Sequence, residues 1–191
     1  MELDEYYDID SILAEQIKIP CIALHDYTKE ANLNGNNTEV KRNTRVELPY
    51  WMAKPLAEYS LPANDSLISI ELPKTYGTKV RNALDASPVL VDFRLLCPYF
   101  YLFGIKLLDL VVDDKLGGIL QKAFKLRLQE TMNYSRTINS SKGQEFLQKL
   151  DETEKELFRA GQDSALQFKQ WRDRAVHQIK TANIGPKPSV L

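Results

Sequence analysis

The residue types that carry enzyme chemistry occur in this chain of 191 residues, but never at working spacing. His25 and His177 stand far apart, and neither belongs to a set of four ligands at the spacing of a zinc site. Ser164 follows Gly161-Gln162-Asp163, which is not the glycine-flanked elbow of a serine hydrolase, and it lies in a helical pattern. Gly117-Gly118 lacks the basic residue and the spacing of a phosphate loop. Asp151, Glu152, Glu154 and Glu156 are dense enough for acid/base work, yet such a run on a helix reads as a solvated face. The sequence therefore predicts no catalytic residue, no metal site, no cofactor and no small-molecule substrate.

Two groups of residues point to contact rather than chemistry. Lys115, Lys122, Lys125 and Arg136 fall on one face of a helix at 3.6 residues per turn, a surface for phosphates or an acidic partner. With a sequence pI of about 6.2, independent nucleic-acid binding is not expected, and the plain alternative is a solvated face. Aromatic residues form the second group. Tyr50-Trp51 opens a short helix, and Tyr99, Phe100, Tyr101 and Phe103 crowd four rings into five positions. One helix cannot turn all four into one small core, so Tyr99 and Tyr101 are expected at a second surface, with Tyr50 and Trp51, where Tyr and Trp are the usual anchors.

The elements that position these residues follow from composition and periodicity. Hydrophobic residues make up 43% and charged residues 27%, the balance of a globular protein with room for a core. No run approaches a membrane span, and with acids rather than a basic-then-apolar run after Met1 no secretory leader is expected. Cys21 and Cys97, both in apolar surroundings, read as reduced core thiols. Residues 1–76 hold 7 Lys+Arg against 13 Asp+Glu, and residues 77–191 hold 18 against 13, so two regions with different surfaces are expected.

Ile9, Ile12, Leu13 and Ile17 predict a short amphipathic helix, capped by Asp10 or Ser11 and ending before Pro20. Pro20–Leu24 is extended, and the Asn-rich segment 27–43 reads as an exposed loop. Thr44–Leu48 and Leu67–Leu72 read as strands, each running into a proline, Pro49 and Pro73, that opens a helix. Helices follow over Lys74–Ala86, over Val91–Val112 with an interruption at Pro98, and from Asp113 with Leu116, Ile119, Leu120, Ala123, Phe124 and Leu128 inward. Asn139–Lys142 is a polar turn. From Gly143 to Trp171 the residues Leu147, Leu150, Glu154, Leu157, Gly161, Ser164, Phe168 and Trp171 mark one helical stripe, with Val176 and Ile179 as its continuation. Gly161 implies a break or the close approach of another backbone. Leu150, Leu157 and Phe168 are the expected core members of that stripe; Phe158, Gly161 and Trp171 are the expected interface members.

The fold class is thus α+β: a small β-rich domain over residues 1–73, a larger all-α bundle over 74–180, and a disordered tail at 181–191. The runs VELPYWMAKPL (Val46–Leu56), ISIELPKTY (Ile68–Tyr76), VDFRLLCPYFYLFGIKLL (Val91–Leu108) and LDETEKELFRAGQ (Leu150–Gln162) resemble the Psf-three family of subunits of the eukaryotic GINS complex. The resemblance does not extend over Tyr27–Asn43 or beyond Ile179. It implies a B-type domain ahead of an A-type helical domain, and a non-catalytic scaffold role in a heterotetramer with the other three GINS subunits. That assembly joins Cdc45 and the MCM ring as the replicative helicase, where the ring hydrolyses ATP. The resemblance further implies a nuclear protein with DNA contact at most indirect, and no membrane association.

Overall fold

A computed structural model describes residues 7–31, 33, 35–59, 66–137 and 141–173, the side chains of residues 141 and 142 excepted. His177, Val176, Ile179, the tail and part of the expected 139–142 turn lie outside the described residues. In chain order the elements are α1 (Ile9–Glu15), β1 (Lys18–Ala23), β2 (Arg45–Pro49), α2 (Tyr50–Glu58), β3 (Ile68–Ile70), α3 (Thr78–Ala86), α4 (Phe93–Leu96), α5 (Phe100–Leu108), α6 (Asp114–Arg136), α7 (Ser141–Leu147) and α8 (Glu152–Arg172). Single 3₁₀ turns occupy Lys29–Ala31, Lys74–Tyr76 and Pro88–Leu90. The architecture is α+β, a three-stranded antiparallel sheet of order β2-β1-β3 followed by helices.

β1 is the central strand, pairing Lys18 with Pro49 through to Ile22 with Arg45 on one side and Cys21 with Ile70 on the other. Its alternation buries Ile19, Cys21 and Ala23 on one face. Pro49 ends β2 and stands at the N-cap of α2, where its missing N–H removes nothing that the helix needs. α2 runs through Pro55 to Glu58 without breaking there. Pro73 likewise caps the 3₁₀ turn that leads to α3.

The Asn-rich segment is the exposed loop expected, and it is pinned where its two ends meet. Tyr27 and Val40 exchange both backbone hydrogen bonds, and the Tyr27 hydroxyl donates to the Leu67 carbonyl at 2.7 Å. Val40 is buried with Ala23 and Val46. Gly35, Asn37 and Asn43 take the positive φ angles that Gly and Asn tolerate, which is the use of that composition.

One hydrophobic core runs from the sheet into the helices. Ile19, Leu48 and Ile68 join Tyr50, and Tyr50 meets Phe103 edge-on while its hydroxyl donates to the Lys106 carbonyl. Tyr76 stacks on Phe100, which stacks on Phe93 at 4.3 Å. α5 is central, with Phe100, Tyr101, Phe103, Gly104 and Leu107 all buried. Contrary to the expectation of a second surface, the rings of this helix turn inward because it has neighbours on several sides. Gly104 is close-packed there, since a Cβ would lie 2.9 Å from the Leu120 Cδ1 methyl and 3.3 Å from the Tyr76 ring. Both cysteines are buried, and burial pushes each thiol up to about 11.

α6 and α8 pack side by side, and Gly161 lies tight against Ser135. A Cβ on Gly161 would lie 2.5 Å from Ser135 Oγ and 2.9 Å from Ser135 Cβ. The close helix that Gly161 admits is therefore the chain's own α6, not a partner's. Gly161→Ala is expected to lower stability in urea unfolding by about 1–2 kcal/mol, overpacking outweighing the gain in helix propensity. Ser135→Gly in the same molecule should recover most of that loss, and additive losses would contradict the close contact.

Candidate subunit interface

The stripe expected to be one helix is divided. A turn at Gln148–Leu150 separates α7 from α8, and Asp151 caps α8 with a reciprocal capping box: its carboxylate accepts from the Glu154 N–H, and the Glu154 carboxylate accepts from the Asp151 N–H. Asp151-Glu152-Thr153-Glu154 is the sequence signal for that start. Asp151 and Glu154 are not solvated but buried, at 0% and 1% exposure.

Arg127, at 0% exposure, comes from α6 to pair with Glu154, and Asp151 is held by backbone N–H groups beside that pair. Arg127 Nε and Nη2 donate to the two oxygens of Glu154 at 2.7 and 2.8 Å, Nη1 donates to the carbonyls of Pro88 and Val91, and Nη2 donates to that of Lys149. All five guanidinium N–H groups are thereby used. The guanidinium also lies over the Phe93 ring, 4.1 Å from its centroid. Tyr101 completes the group: its hydroxyl donates to Glu154 Oε1 at 3.1 Å and its N–H donates to Asp151. Tyr101 is consequently a core residue rather than an interface residue. The sequence signal for Arg127 was its place on the buried stripe of Leu116, Leu120, Ala123 and Thr131.

One cation serves two carboxylates here. Burial pushes Asp151 up to about 7, and the Glu154 charge adds to that, against the opposing pull of two backbone N–H groups and Arg127. Burial, and then Glu154, also raise the Tyr101 hydroxyl.

From this anchored foot α8 runs parallel to α6, since Glu154 meets Arg127 and Gly161 meets Ser135. α6 ends at Arg136. The residues of α8 from Gln162 to Arg172 continue past it for roughly 16 Å at 1.5 Å per residue. Along that overhang Leu166 is 47% exposed, Phe168 60% and Trp171 74%, the last two rings 5.7 Å apart. Leu157, below the overhang, is 39% exposed. Phe168 and Leu157, expected in the core, thus face outward because α6 stops short or leaves their side of α8 open. Leu150 is fully buried as expected, and Phe158 is buried with it and Phe146, which removes Phe158 from the accessible surface. Tyr50 is removed likewise by the core it joins, whereas Trp51 is 53% exposed and Tyr99 half-buried.

Lys115, Lys122, Lys125 and Arg136 all lie on the exposed side of α6. They do not form a uniformly basic face. Lys122 donates to Asp85, and Arg81, Asp85 and Asp114 share with Lys115 and Lys122 an open groove of about 370 Å³ between α3 and α6.

Residues 75–173 match the GINS complex protein helical bundle domain, and residues 7–58 match the PSF3 N-terminal domain, including the 27–43 segment that the four sequence runs left out. The chain is 35% identical over 173 residues to the DNA replication complex GINS protein psf3 of Aspergillus fumigatus, covering 89% of this chain and 97% of that one. The psf3 protein of Schizosaccharomyces pombe is 32% identical over 174 residues, 88% and 98% of the two chains, and that of Xenopus laevis is 27% identical over 185 residues, 95% and 86%. The chain belongs to the PSF3 family of GINS proteins.

Arg127→Met is expected to cost about 3–5 kcal/mol in unfolding free energy, because it leaves buried carboxylates without a counter-charge. Arg127→Met with Glu154→Met should be milder than Arg127→Met alone; an additive loss would contradict a coupled pair. The Asp151 carboxyl, raised from 3.8 to about 7, contributes stability that is complete below about pH 4 and lost as pH rises through 7. Urea titrations across that range should show stability falling by at most about 1.4 kcal/mol per pH unit from this proton. Asp151→Asn, which keeps an acceptor for the helix cap, should flatten the slope.

Proposed function

We propose that this chain is a non-catalytic structural subunit of a nuclear four-subunit GINS assembly, built with the other three GINS subunits. Through that assembly it helps to join Cdc45 and the MCM ring into the active replicative helicase during initiation and elongation of DNA replication. Membership of the PSF3 family supports this reading, as do the relatives' names as proteins of the DNA replication complex GINS. The observation that carries it is the outer half of α8, where Leu166, Phe168 and Trp171 project without cover from the described residues. Large exposed aromatic side chains grouped on one element are the usual anchors of a stable interface.

Phe168→Asp with Trp171→Asp should leave the chain's own unfolding nearly unchanged, since both side chains are already exposed. On coexpression with the other three subunits, the doubly substituted chain should drop out of the purified assembly, each anchor contributing about 2 kcal/mol. Incorporation at the normal level would contradict the reading. Direct nucleic-acid contact through Lys115, Lys122, Lys125 and Arg136 is the weaker alternative, because Asp85 and Asp114 stand among those cations. Reversal of the four charges in the assembly should therefore leave the salt dependence of DNA binding unchanged; a shallower slope would favour the alternative.

A further inference from the structure

α1 is turned the opposite way from an ordinary surface helix. Its apolar residues Ile9, Ile12 and Leu13 recur at steps of three and one, a single stripe, yet they are 70%, 45% and 40% exposed. Ala14 is the buried residue of this helix. Tyr7, just before it, is 72% exposed. The helix is nonetheless firmly placed: Asp8 caps it, Glu15 holds Lys106 of α5 at 2.7 Å, and it packs against α5 and α2. A stripe that is preformed and outward-facing pays little ordering entropy when something lies on it.

Charge says what that something is. Residues 1–17 contain six carboxylates, Glu2, Asp4, Glu5, Asp8, Asp10 and Glu15, and no lysine or arginine. Beside the helix, Asp10, Glu152 and Asp8 surround the Tyr99 hydroxyl. Two lysines on this side are already committed, Lys106 to Glu15 and Lys155 to Glu152, and Lys18 lies beyond the C-terminal end of the helix. An apolar stripe in an acidic frame repels phosphate-bearing and acidic surfaces. It complements a helix with apolar side chains on one edge and Lys or Arg on both flanks.

We propose that the outer face of α1 is a docking site for a basic amphipathic helix of a further protein. The three apolar side chains take the ridge of that helix, and Asp8 and Asp10 pair with its flanking cations. The site is separate from the α8 overhang and remains open once the four subunits have assembled.

The test uses the reconstituted four-subunit assembly and a fluorescein-labelled helical peptide of leucine and lysine, with a leucine–glutamate peptide of the same pattern as control. Anisotropy should show binding of the lysine peptide and none of the glutamate peptide. Ile9→Glu with Leu13→Glu should weaken binding at least about tenfold without loss of assembly. Asp8→Ser with Asp10→Asn, which keeps a helix cap, should weaken it similarly and reduce its salt dependence. Unaltered binding to either variant would overturn the proposal, as would equal binding of the two peptides. So would a gain in hydrogen-exchange protection of Ile9–Glu15 on going from the free chain to the peptide-free assembly, since that would place a sibling subunit on the stripe.

Discussion

The bundle depends on the sealed contact between Arg127 and Glu154. A guanidinium taken out of water loses hydration worth many kcal/mol, and the loss is offset only where every N–H finds an acceptor. Arg127 meets that condition with two carboxylate oxygens and three carbonyls. Those acceptors come from the 3₁₀ turn and loop after α3, the turn after α7, and the first turn of α8, so one side chain fixes segments that share no periodic packing. A lysine has three donors and no fork, and would leave part of this set unpaired.

The clamp also determines what the rest of α8 does. It holds the helix foot against α6, and Gly161 then sets the spacing at Ser135, close to the end of α6. Past that level nothing within the described chain lies over Phe168 and Trp171. The overhang is therefore a helical projection held at its foot, with its side chains free for a subunit contact. At the other pole, Tyr50 and Tyr76 tie the sheet to the bundle through shared rings and two hydroxyl-to-carbonyl hydrogen bonds.

Much of this was legible in the residues. The proline-ended strands, the inward stripe of α6 and the buried Leu150 all follow from periodicity and backbone rules. Tertiary context accounts for the failures. Tyr101 and Phe158 looked surplus because a linear stripe says nothing of how many neighbours a helix has, and α5 is surrounded. Asp151 and Glu154 looked solvated because the counter-charge lies 27 residues away from Glu154, on another helix, whereas Glu156 is exposed as expected. The short motif Asp151–Glu154 could have located the start of α8, and Glu154 already sat on the apolar stripe. The outward turn of Leu157 and Phe168 could not be read, since it depends on where α6 ends.

The central claim is that a clamped α8 presents its outer half to a neighbouring subunit. Hydrogen exchange on the assembled four-subunit complex tests it most directly. The account predicts that amides of Leu166–Arg172 exchange as slowly as those of Glu154–Gly161, although they belong to the end of a helix that would fray if uncovered. Fast exchange over Leu166–Arg172 beside slow exchange over Glu154–Gly161 would contradict it.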